Sequence, residues 1–282
     1  MKIVRRISEL REALAKARAD GRTIGLVPTM GSFHEGHLSL MRRAHADCDV
    51  TVVSLFVNPS QFNDPRDLEA YPRDEKRDAE MAATAGVDIL FVPEVAEMYP
   101  RGYSTTVTVG GVSEPLEGAA RGASHFAGVA TIVAKLFDIA QPTAAYFGQK
   151  DAQQALVVRK LIRDLNFPTR LEVCPTIREP DGLAMSSRNV RLVPADRTRA
   201  LSLRAGLDAG LDAIRAGERR ASAVEAAGRE AMQARGVDPE YFAAVAADTV
   251  MSFDTLKGEI LLAVAARVGD VRLIDNELVL IE

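Results

Sequence analysis

The chain has 282 residues and a hydrophobic content of 47%, which is ordinary for a globular protein of one large or two modest domains. Its formal net charge is −4 and it carries no basic run, so nucleic acid is not an expected partner. The sequence contains no apolar stretch of eighteen residues, so it predicts no membrane span. The charged amino terminus is unlike a signal peptide, and no membrane partner is expected.

The first predicted elements are a helix and a buried strand. The helix covers residues 7–19, with Ser8 as its N-cap and Gly21 after its end. The apolar run at 24–27 predicts the strand. Pro28 is expected to end the ladder of that strand, because proline has no N–H to donate.

A turn with two histidines follows this strand. Gly31 gives the backbone freedom to turn, and helical spacing begins at Gly36. His34 and His37 therefore lie on one face of the first helical turn. The first N–H groups of a helix attract anions, and Gly36 leaves room for a flat base. The pattern favours a nucleotide site over its alternatives, which are a metal pair and two surface histidines.

A second buried strand is predicted at 50–57, because the run is β-branched and almost wholly apolar. The loop Asn58-Pro-Ser-Gln-Phe62 follows it. Loops after the carboxyl ends of parallel strands carry ligands, which places Gln61 at the active edge of the sheet. Its amide suits a hydroxyl or a carboxylate, and the alternative is a loop amide that faces water.

The middle of the chain continues the alternation of helices and strands. A charged helix is expected at about 74–85, a strand at 87–92, an edge strand at 105–109 and an apolar helix at 128–139. Asp78 lies on the first of these helices.

A third strand with polar residues at its end is predicted at 144–147. It passes through Gly148 into a helix that runs to about residue 165, with Lys150 and Asp151 at the helix start. A lysine in this position can neutralise phosphate charge, and the alternative is a capping aspartate beside an exposed lysine. Gln154 lies one turn further along the same face.

The carboxyl-terminal part begins after a last strand of the sheet at 169–173. A Pro-Asp-Gly turn precedes Met185-Ser-Ser-Arg188, in which the planar guanidinium suits phosphate oxygens. The remaining predicted elements are helices at about 195–216 and 222–235 and strands at 241–246, 259–268 and 271–280. We therefore expect an α/β, Rossmann-like parallel-sheet domain over 1–175 and a smaller α+β domain over 176–282 that covers the nucleotide.

Several of these strings resemble known motifs. His34-Glu-Gly-His37 resembles the His-x-Gly-His signature of the nucleotidylyltransferase and class I aminoacyl-tRNA synthetase superfamily. The longer string from Pro28 to His37 is similar to that of one family, the pantothenate synthetases or pantoate–β-alanine ligases. Asn58-Pro-Ser-Gln-Phe62 and Gly148-Gln-Lys-Asp-Ala-Gln-Gln154 match further motifs of that family in order. Met185-Ser-Ser-Arg188 resembles the second signature of the superfamily, a mobile lysine-containing loop, with Arg188 as the cation. The stretch Arg121-Gly-Ala-Ser-His125 departs from its motif by one extra residue and a missing proline.

The resemblance implies that pantoate, β-alanine and ATP give pantothenate, AMP and pyrophosphate through a pantoyl-adenylate. It implies ATP-binding residues in three motifs and at one further position, Ile177. Those in the motifs are Met30, Gly31, Ser32, Phe33, His34, Glu35, Gly36, His37, Gly148, Gln149, Lys150, Asp151, Met185, Ser186, Ser187 and Arg188. The expected catalytic residues, chiefly electrostatic stabilisers of the phosphates, are His34, His37, Lys150 and Arg188. The expected pantoate ligands are Gln61 and Gln154. Asp78 is the expected ligand of Mg²⁺, with a solvated carboxylate as the alternative.

The resemblance also implies a homodimer. The two cysteines, Cys48 and Cys174, are far apart in sequence and are expected to be reduced thiols of a cytoplasmic protein.

Two other functions stay open at this point. A nucleotidylyltransferase would keep the adenylate as its product, and a nucleotide-binding regulator would not turn over at all.

Overall fold

The structure is a computed structural model that describes residues 1–63 and 65–281. Contacts divide the chain into two compact units. Unit 1 comprises residues 1–148 and 154–175, and unit 2 comprises residues 149–153 and the chain from Thr176 onward. The chain therefore leaves unit 1 at the end of one strand, contributes a short turn to unit 2, and returns.

Unit 1 is built on a parallel sheet, as predicted, and this sheet has six strands. Its strands are β1 (Lys2–Val4), β2 (Ile24–Thr29), β3 (Val50–Leu55), β4 (Ile89–Phe91), β5 (Ala144–Gly148) and β6 (Arg170–Cys174), in the spatial order β1-β4-β3-β2-β5-β6. Its helices are α1 (Ile7–Ala19), α2 (Glu35–Asp47), α3 (Pro65–Glu69), α4 (Glu75–Thr84), α5 (Val95–Met98), α6 (Glu117–Arg121), α7 (Ala123–Ala140) and α8 (Ala152–Asp164), whose first two residues belong to unit 2.

The central strands are apolar because both faces of the sheet are covered. Val27 and Val53 belong to a core cluster on one face, together with Met41 of α2. Leu26 and Val52 alternate with them, point to the other face, and are also completely buried. Continuous apolar runs are what a parallel sheet with two covered faces requires.

The strand order places a switch point beside β2. From β2 the chain continues to β3 and β4 on one side, and then crosses to β5 and β6 on the other side. In open parallel sheets, ligands bind outside the carboxyl ends of the strands at such a reversal. The carboxyl ends in question are Thr29 of β2 and Gly148 of β5.

Pro28 does not end β2, contrary to the expectation. The Thr29 carbonyl accepts from Phe56 on the β3 side, whereas the Ile24 carbonyl accepts from Thr143 on the β5 side. Backbone groups alternate along a strand, so the nitrogen of Pro28 faces β5. Pairing with β5 stops at Leu26, so the missing N–H of Pro28 costs the sheet no hydrogen bond.

The expected edge strand at 105–109 is also wrong. This stretch is loop, and the Val107 N–H donates to the side-chain hydroxyl of Thr131 (2.9 Å) rather than to a strand. The short strand β1 is an element that the sequence prediction missed. The predicted helix at 195–216 is two helices, because the helical hydrogen bonding breaks at Leu201.

Helix α7 starts at Ala123, earlier than predicted, and is the core helix of unit 1. Among the residues that the structure describes, it alone is long and apolar enough to cross a membrane. However, 61% of it is buried inside the protein, as in a packed core helix. Cys48 and Cys174 are both free thiols, and burial raises the pKa of Cys174.

Unit 2 contains a three-stranded antiparallel sheet in the order β7-β8-β9. Its strands are β7 (Tyr241–Ala246), β8 (Gly258–Val268) and β9 (Val271–Ile281), and its helices are α9 (Pro194–Ala200), α10 (Ser202–Arg215) and α11 (Ala221–Gln233). Helices α10 and α11 approach closely at Gly206, where an added Cβ would lie 2.7 Å from Met232 Cγ. Leu207, Phe242 and Leu262 form part of the core between helices and sheet.

Candidate active site

The turn after β2 has an unusual backbone conformation. Gly31 has a φ of +91° and Ser32 has a φ of +55°, so two consecutive residues are in the left-handed region. An added Cβ at Gly31 would lie 2.9 Å from Asp78 Oδ2, so glycine is required there by both conformation and space. The turn leads directly into α2.

Asp78 of α4 fixes this turn from the outside. Its Oδ2 accepts the N–H of Ser32 (2.7 Å), and its Oδ1 accepts the N–H of Phe33 (2.8 Å). The residue is only 1% exposed, and the nearest cation is the Arg77 guanidinium at 3.8 Å. Both oxygens of the carboxylate are therefore engaged by the backbone, which stabilises the strained turn.

The two histidines cap helix α2. His34 is the N-cap, and its Nδ1 accepts the N–H of Gly36 (3.2 Å). His37 Nδ1 accepts the N–H of His34 (3.4 Å), and the two ring centroids are 4.2 Å apart. A neutral imidazole whose Nδ1 accepts a hydrogen bond carries its proton on Nε2. Both rings lie at the start of α2, which is the positive end of the helix.

Two other residues of this turn direct their side chains elsewhere. Phe33 is 1% exposed and belongs to the core of unit 1. Glu35 forms an ion pair with Arg42 of the same helix. The side chains of Phe33 and Glu35 thus have partners within the protein, and their expected contacts with ATP stay predictions.

The turn after β3 is organised by Asn58, which is 1% exposed. Its Nδ2 donates to Gln61 Oε1 (2.8 Å) and to the carbonyl of Gly128 (3.1 Å). Its Oδ1 accepts from the Tyr99 hydroxyl (2.8 Å). The Gln61 side chain is thus held in one orientation at the carboxyl edge of the sheet.

His125 and Gly128 of α7 support the same turn. His125 Nδ1 lies 3.0 Å from the carbonyl oxygen of Gln61, which can only accept. An added Cβ at Gly128 would lie 2.5 Å from the Ser60 carbonyl oxygen, so the helix and the turn are in close backbone contact. By contrast, the Arg121 Nε donates to Glu117 (2.7 Å) within its own short helix.

Lys150 lies in a 3₁₀ turn (Gln149–Asp151) directly after β5, rather than in the helix itself. Its side chain is 18% exposed, and its Nζ is 3.9 Å from the carboxylate of the exposed Asp151. Helix α8 then begins at Ala152, with the partly buried Gln154 in its first turn.

The loop with Met185 to Arg188 is tied down inside unit 2. The Met185 N–H donates to the carbonyl of Ile177 (2.9 Å). The Arg188 N–H donates to Ser186 Oγ (3.3 Å). The buried Asn189 donates to Glu179 (2.7 Å), which fixes the end of the loop that follows Arg188.

An ion pair anchors the start of the same loop. The Arg178 guanidinium donates to both oxygens of the buried Asp275 of β9, at 2.7 and 3.1 Å. Such a bidentate pair fixes orientation as well as charge. The segment that carries Ser186, Ser187 and Arg188 is therefore held at both ends by side chains of unit 2.

The residues that sequence reasoning missed are those that position the predicted ones. The sequence predicts a metal-binding role for Asp78 and no role for Asn58 or Tyr99. It also predicts none for Asn276 of β9, whose Nδ2 donates to the Lys150 carbonyl (2.9 Å). Asn58 has a local signal, because it begins the string that contains Gln61. Tyr99 and Asn276 have no such signal, because they contact segments distant in sequence.

Comparison with known proteins places the whole chain in one family. The family model for pantoate–β-alanine ligase matches residues 2–278. A pantothenate synthetase of Moorella thermoacetica is 52% identical, over 98% of each chain. One of Cereibacter sphaeroides is 50% identical, over 97% of this chain and 98% of the other.

Solved structures agree with the sequence relatives. The pantothenate synthetase of Thermus thermophilus has a TM-score of 0.92 and 44% identity, and covers 98% of this chain and 99% of its own. A Francisella tularensis pantoate–β-alanine ligase, complexed with β,γ-ATP and β-alanine, has a TM-score of 0.78 and 33% identity over 99% and 97% of the two chains. By the family match and these full-length relatives, the chain belongs to the pantoate–β-alanine ligase family.

Proposed function

We propose that this chain condenses pantoate with β-alanine at the expense of ATP, with AMP and pyrophosphate as the other products. The observation that carries the proposal is the histidine-capped start of α2 at the carboxyl end of β2, beside the switch point of the sheet. The Gln61 turn follows the neighbouring strand β3, so an anion site and a polar site lie on adjacent strands. The identity of the substrates is inferred from the family to which the chain belongs.

The first step forms an acyl-adenylate. A carboxylate oxygen of pantoate attacks the α-phosphorus of ATP, and the bond from that phosphorus to the bridging oxygen breaks, so pyrophosphate leaves. Negative charge develops on the phosphate oxygens in the transition state. The Nε2–H groups of His34 and His37, with Lys150 and Arg188, are proposed to stabilise that charge.

The second step transfers the acyl group. The amine nitrogen of β-alanine attacks the acyl carbon, and the carbon–oxygen bond to AMP breaks. The nitrogen loses a proton to solvent, and AMP leaves with an oxygen that came from pantoate. No covalent bond to the enzyme is needed in either step.

Pantoate is proposed to bind Gln61 and Gln154. It presents one carboxylate and two hydroxyls to polar groups, and its gem-dimethyl centre requires an apolar wall. Neutral amides can donate to the carboxylate without adding charge. Met30 and Phe62, which adjoin these motifs, are proposed to supply the wall.

Replacing either Gln61 or Gln154 with alanine is expected to lower pantoate-dependent exchange of labelled pyrophosphate into ATP by roughly ten- to a hundred-fold. The reason is that an unpaired buried polar group costs about 1–3 kcal/mol. The KM for ATP should change much less. The surface variant Gln233→Ala serves as the control. If both variants exchange pyrophosphate at the parental rate at every pantoate concentration, these glutamines do not bind pantoate.

Magnesium is proposed only as the ion that accompanies the ATP phosphates. Within residues 1–63 and 65–281, no group of three or more histidine, cysteine or acidic side chains could hold a metal ion. The Asp78 carboxylate is buried and accepts two backbone N–H groups. Both oxygens of Asp78 are thus already engaged by the turn, and its metal role stays a prediction.

Replacing Asp78 with asparagine is expected to lower kcat/KM for ATP by roughly ten- to a hundred-fold, without changing the Mg²⁺ concentration that gives half-maximal rate. One backbone N–H of the turn would then face an amide N–H₂ instead of an acceptor, which costs about 1–3 kcal/mol. Asp74→Asn is the matched control on the same helix, because asparagine caps a helix as well as aspartate does. Rescue of Asp78→Asn by excess Mg²⁺ would instead identify this carboxylate as a metal ligand.

The proposed reaction is tested by following AMP from ATP and pantoate, with and without β-alanine. The proposal predicts multiple turnovers of AMP only when the amine is present. A nucleotidylyltransferase would accumulate the adenylate as its final product regardless of the amine. A chain that binds ATP without any turnover would be a regulator.

Assembly and location rest on the family resemblance alone. We propose a homodimer in the cytoplasm, which sedimentation of the purified chain and fractionation of cells would test. The covering role expected for residues 176–282 also stays a prediction.

A further inference from the structure

A buried amide of unit 2 holds the turn that carries Lys150. Asn276 of β9 is 5% exposed. Its Nδ2 donates to the carbonyl oxygens of Gln149 (3.0 Å) and Lys150 (2.9 Å). Its Oδ1 accepts from Gln149 Nε2 (2.9 Å). The two N–H groups of this side-chain amide thus donate to two consecutive backbone carbonyls.

The sheet itself does not require a polar residue at this position. Asn276 pairs with Ala263 of the apolar strand β8, and β9 is the edge strand of its sheet. A buried amide is unfavourable unless it is hydrogen-bonded, so an apolar side chain would suit the sheet better. The hydrogen bonds of Asn276 go instead to a turn more than a hundred residues away in the sequence.

We propose that Asn276 is a positioning residue, which fixes the backbone of Lys150 so that its ammonium group is held ready for the phosphates. The inference rests on the proposed role of Lys150 in the reaction. Asn276 is expected to act through the turn and not on the substrate, because both of its N–H groups and its oxygen are engaged by Gln149 and Lys150. The ATP-binding role expected for Gln149 stays a prediction.

Without the hydrogen bonds to Asn276, the backbone of the turn would be freer to move. Lysine has a long flexible side chain, so the position of its ammonium group depends on a fixed backbone. Misplacement of a catalytic group by about 1 Å can lower a rate by about a hundred-fold. Alanine at position 276 would remove both donors, and serine would be too short to reach both carbonyls.

The test is a double-mutant cycle between Asn276 and Lys150. Asn276→Ala and Asn276→Ser are each expected to lower kcat by roughly ten- to a hundred-fold, with a smaller change in the KM for ATP. In the Lys150→Ala background, Asn276→Ala should have little further effect, because residues that act through one another are not additive. Hydrogen–deuterium exchange of residues 149–151 should accelerate in both variants of Asn276.

Leu278→Ala, two residues further along β9 and partly exposed, should leave kcat and the exchange of the turn unchanged. Parental kcat for both Asn276 variants, or losses that simply add to that of Lys150→Ala, would overturn the positioning role while leaving the proposed reaction intact. A parental rate for Lys150→Ala would overturn the role of Lys150 and, with it, this inference.

Discussion

Replacing His37 with alanine is expected to lower kcat by about a hundred- to a thousand-fold at saturating ATP, which is the usual loss for one transition-state donor. The ring lies in the first turn of α2, where its Nδ1 accepts the His34 N–H, and it is proposed to meet the developing phosphate charge. Because this interaction strengthens in the transition state, kcat should fall more than the affinity for ATP. Steady-state kinetics at saturating pantoate and β-alanine measure the effect.

His45→Ala provides the matched control, since His45 is exposed in the last turn of the same helix. It should retain the parental kcat. Circular dichroism should show an intact fold for both variants. A near-parental kcat for His37→Ala would remove this histidine from the mechanism.

Replacing Lys150 with alanine is expected to cause a loss of similar size, again about a hundred- to a thousand-fold in kcat. Lys150 follows β5 directly in the sequence, and its side chain is mostly buried. Lys150→Arg should recover only part of the rate, because a guanidinium keeps the charge but differs in shape and reach. Pyrophosphate exchange should fall in parallel, since the lysine is proposed to act in the first half-reaction.

Lys160→Ala is the control for charge removal, because Lys160 pairs with Asp164 at the other end of α8. Its kcat should be parental. An unchanged exchange rate in Lys150→Ala, with a slower overall reaction, would move the lysine to the amine-transfer step.

Local patterns predicted most of the fold. Helix α1 and strand β7 match their predicted bounds residue for residue, because clear apolar periodicity marks them. The N-cap of α1 is nevertheless Arg6 and not Ser8, which lies inside the helix. The misjudged elements are those decided by tertiary partners. Pro28 is tolerated because of where a neighbouring strand stops, and the 105–109 stretch bonds to a side chain of α7 instead of a strand.

The candidate site divides in the same way. Residues proposed to touch the substrates, such as His37 and Gln61, lie in strings that the sequence makes visible. Their supports come from distant parts of the chain. Asp78 binds a turn 46 residues earlier, and Asn276 binds one more than a hundred residues earlier. A single sequence gives no local signal for such pairs, since burial and hydrogen bonding appear only after folding.

The central claim is that the pantoate carboxylate attacks the α-phosphorus of ATP, and the fate of its oxygen tests this most directly. Pantoate labelled with ¹⁸O in both carboxylate positions is incubated with ATP, β-alanine and the purified chain, and the products are analysed by mass spectrometry. The account predicts one ¹⁸O atom in AMP and one remaining in pantothenate for each turnover. Label in pyrophosphate or inorganic phosphate, or AMP without label, would contradict it.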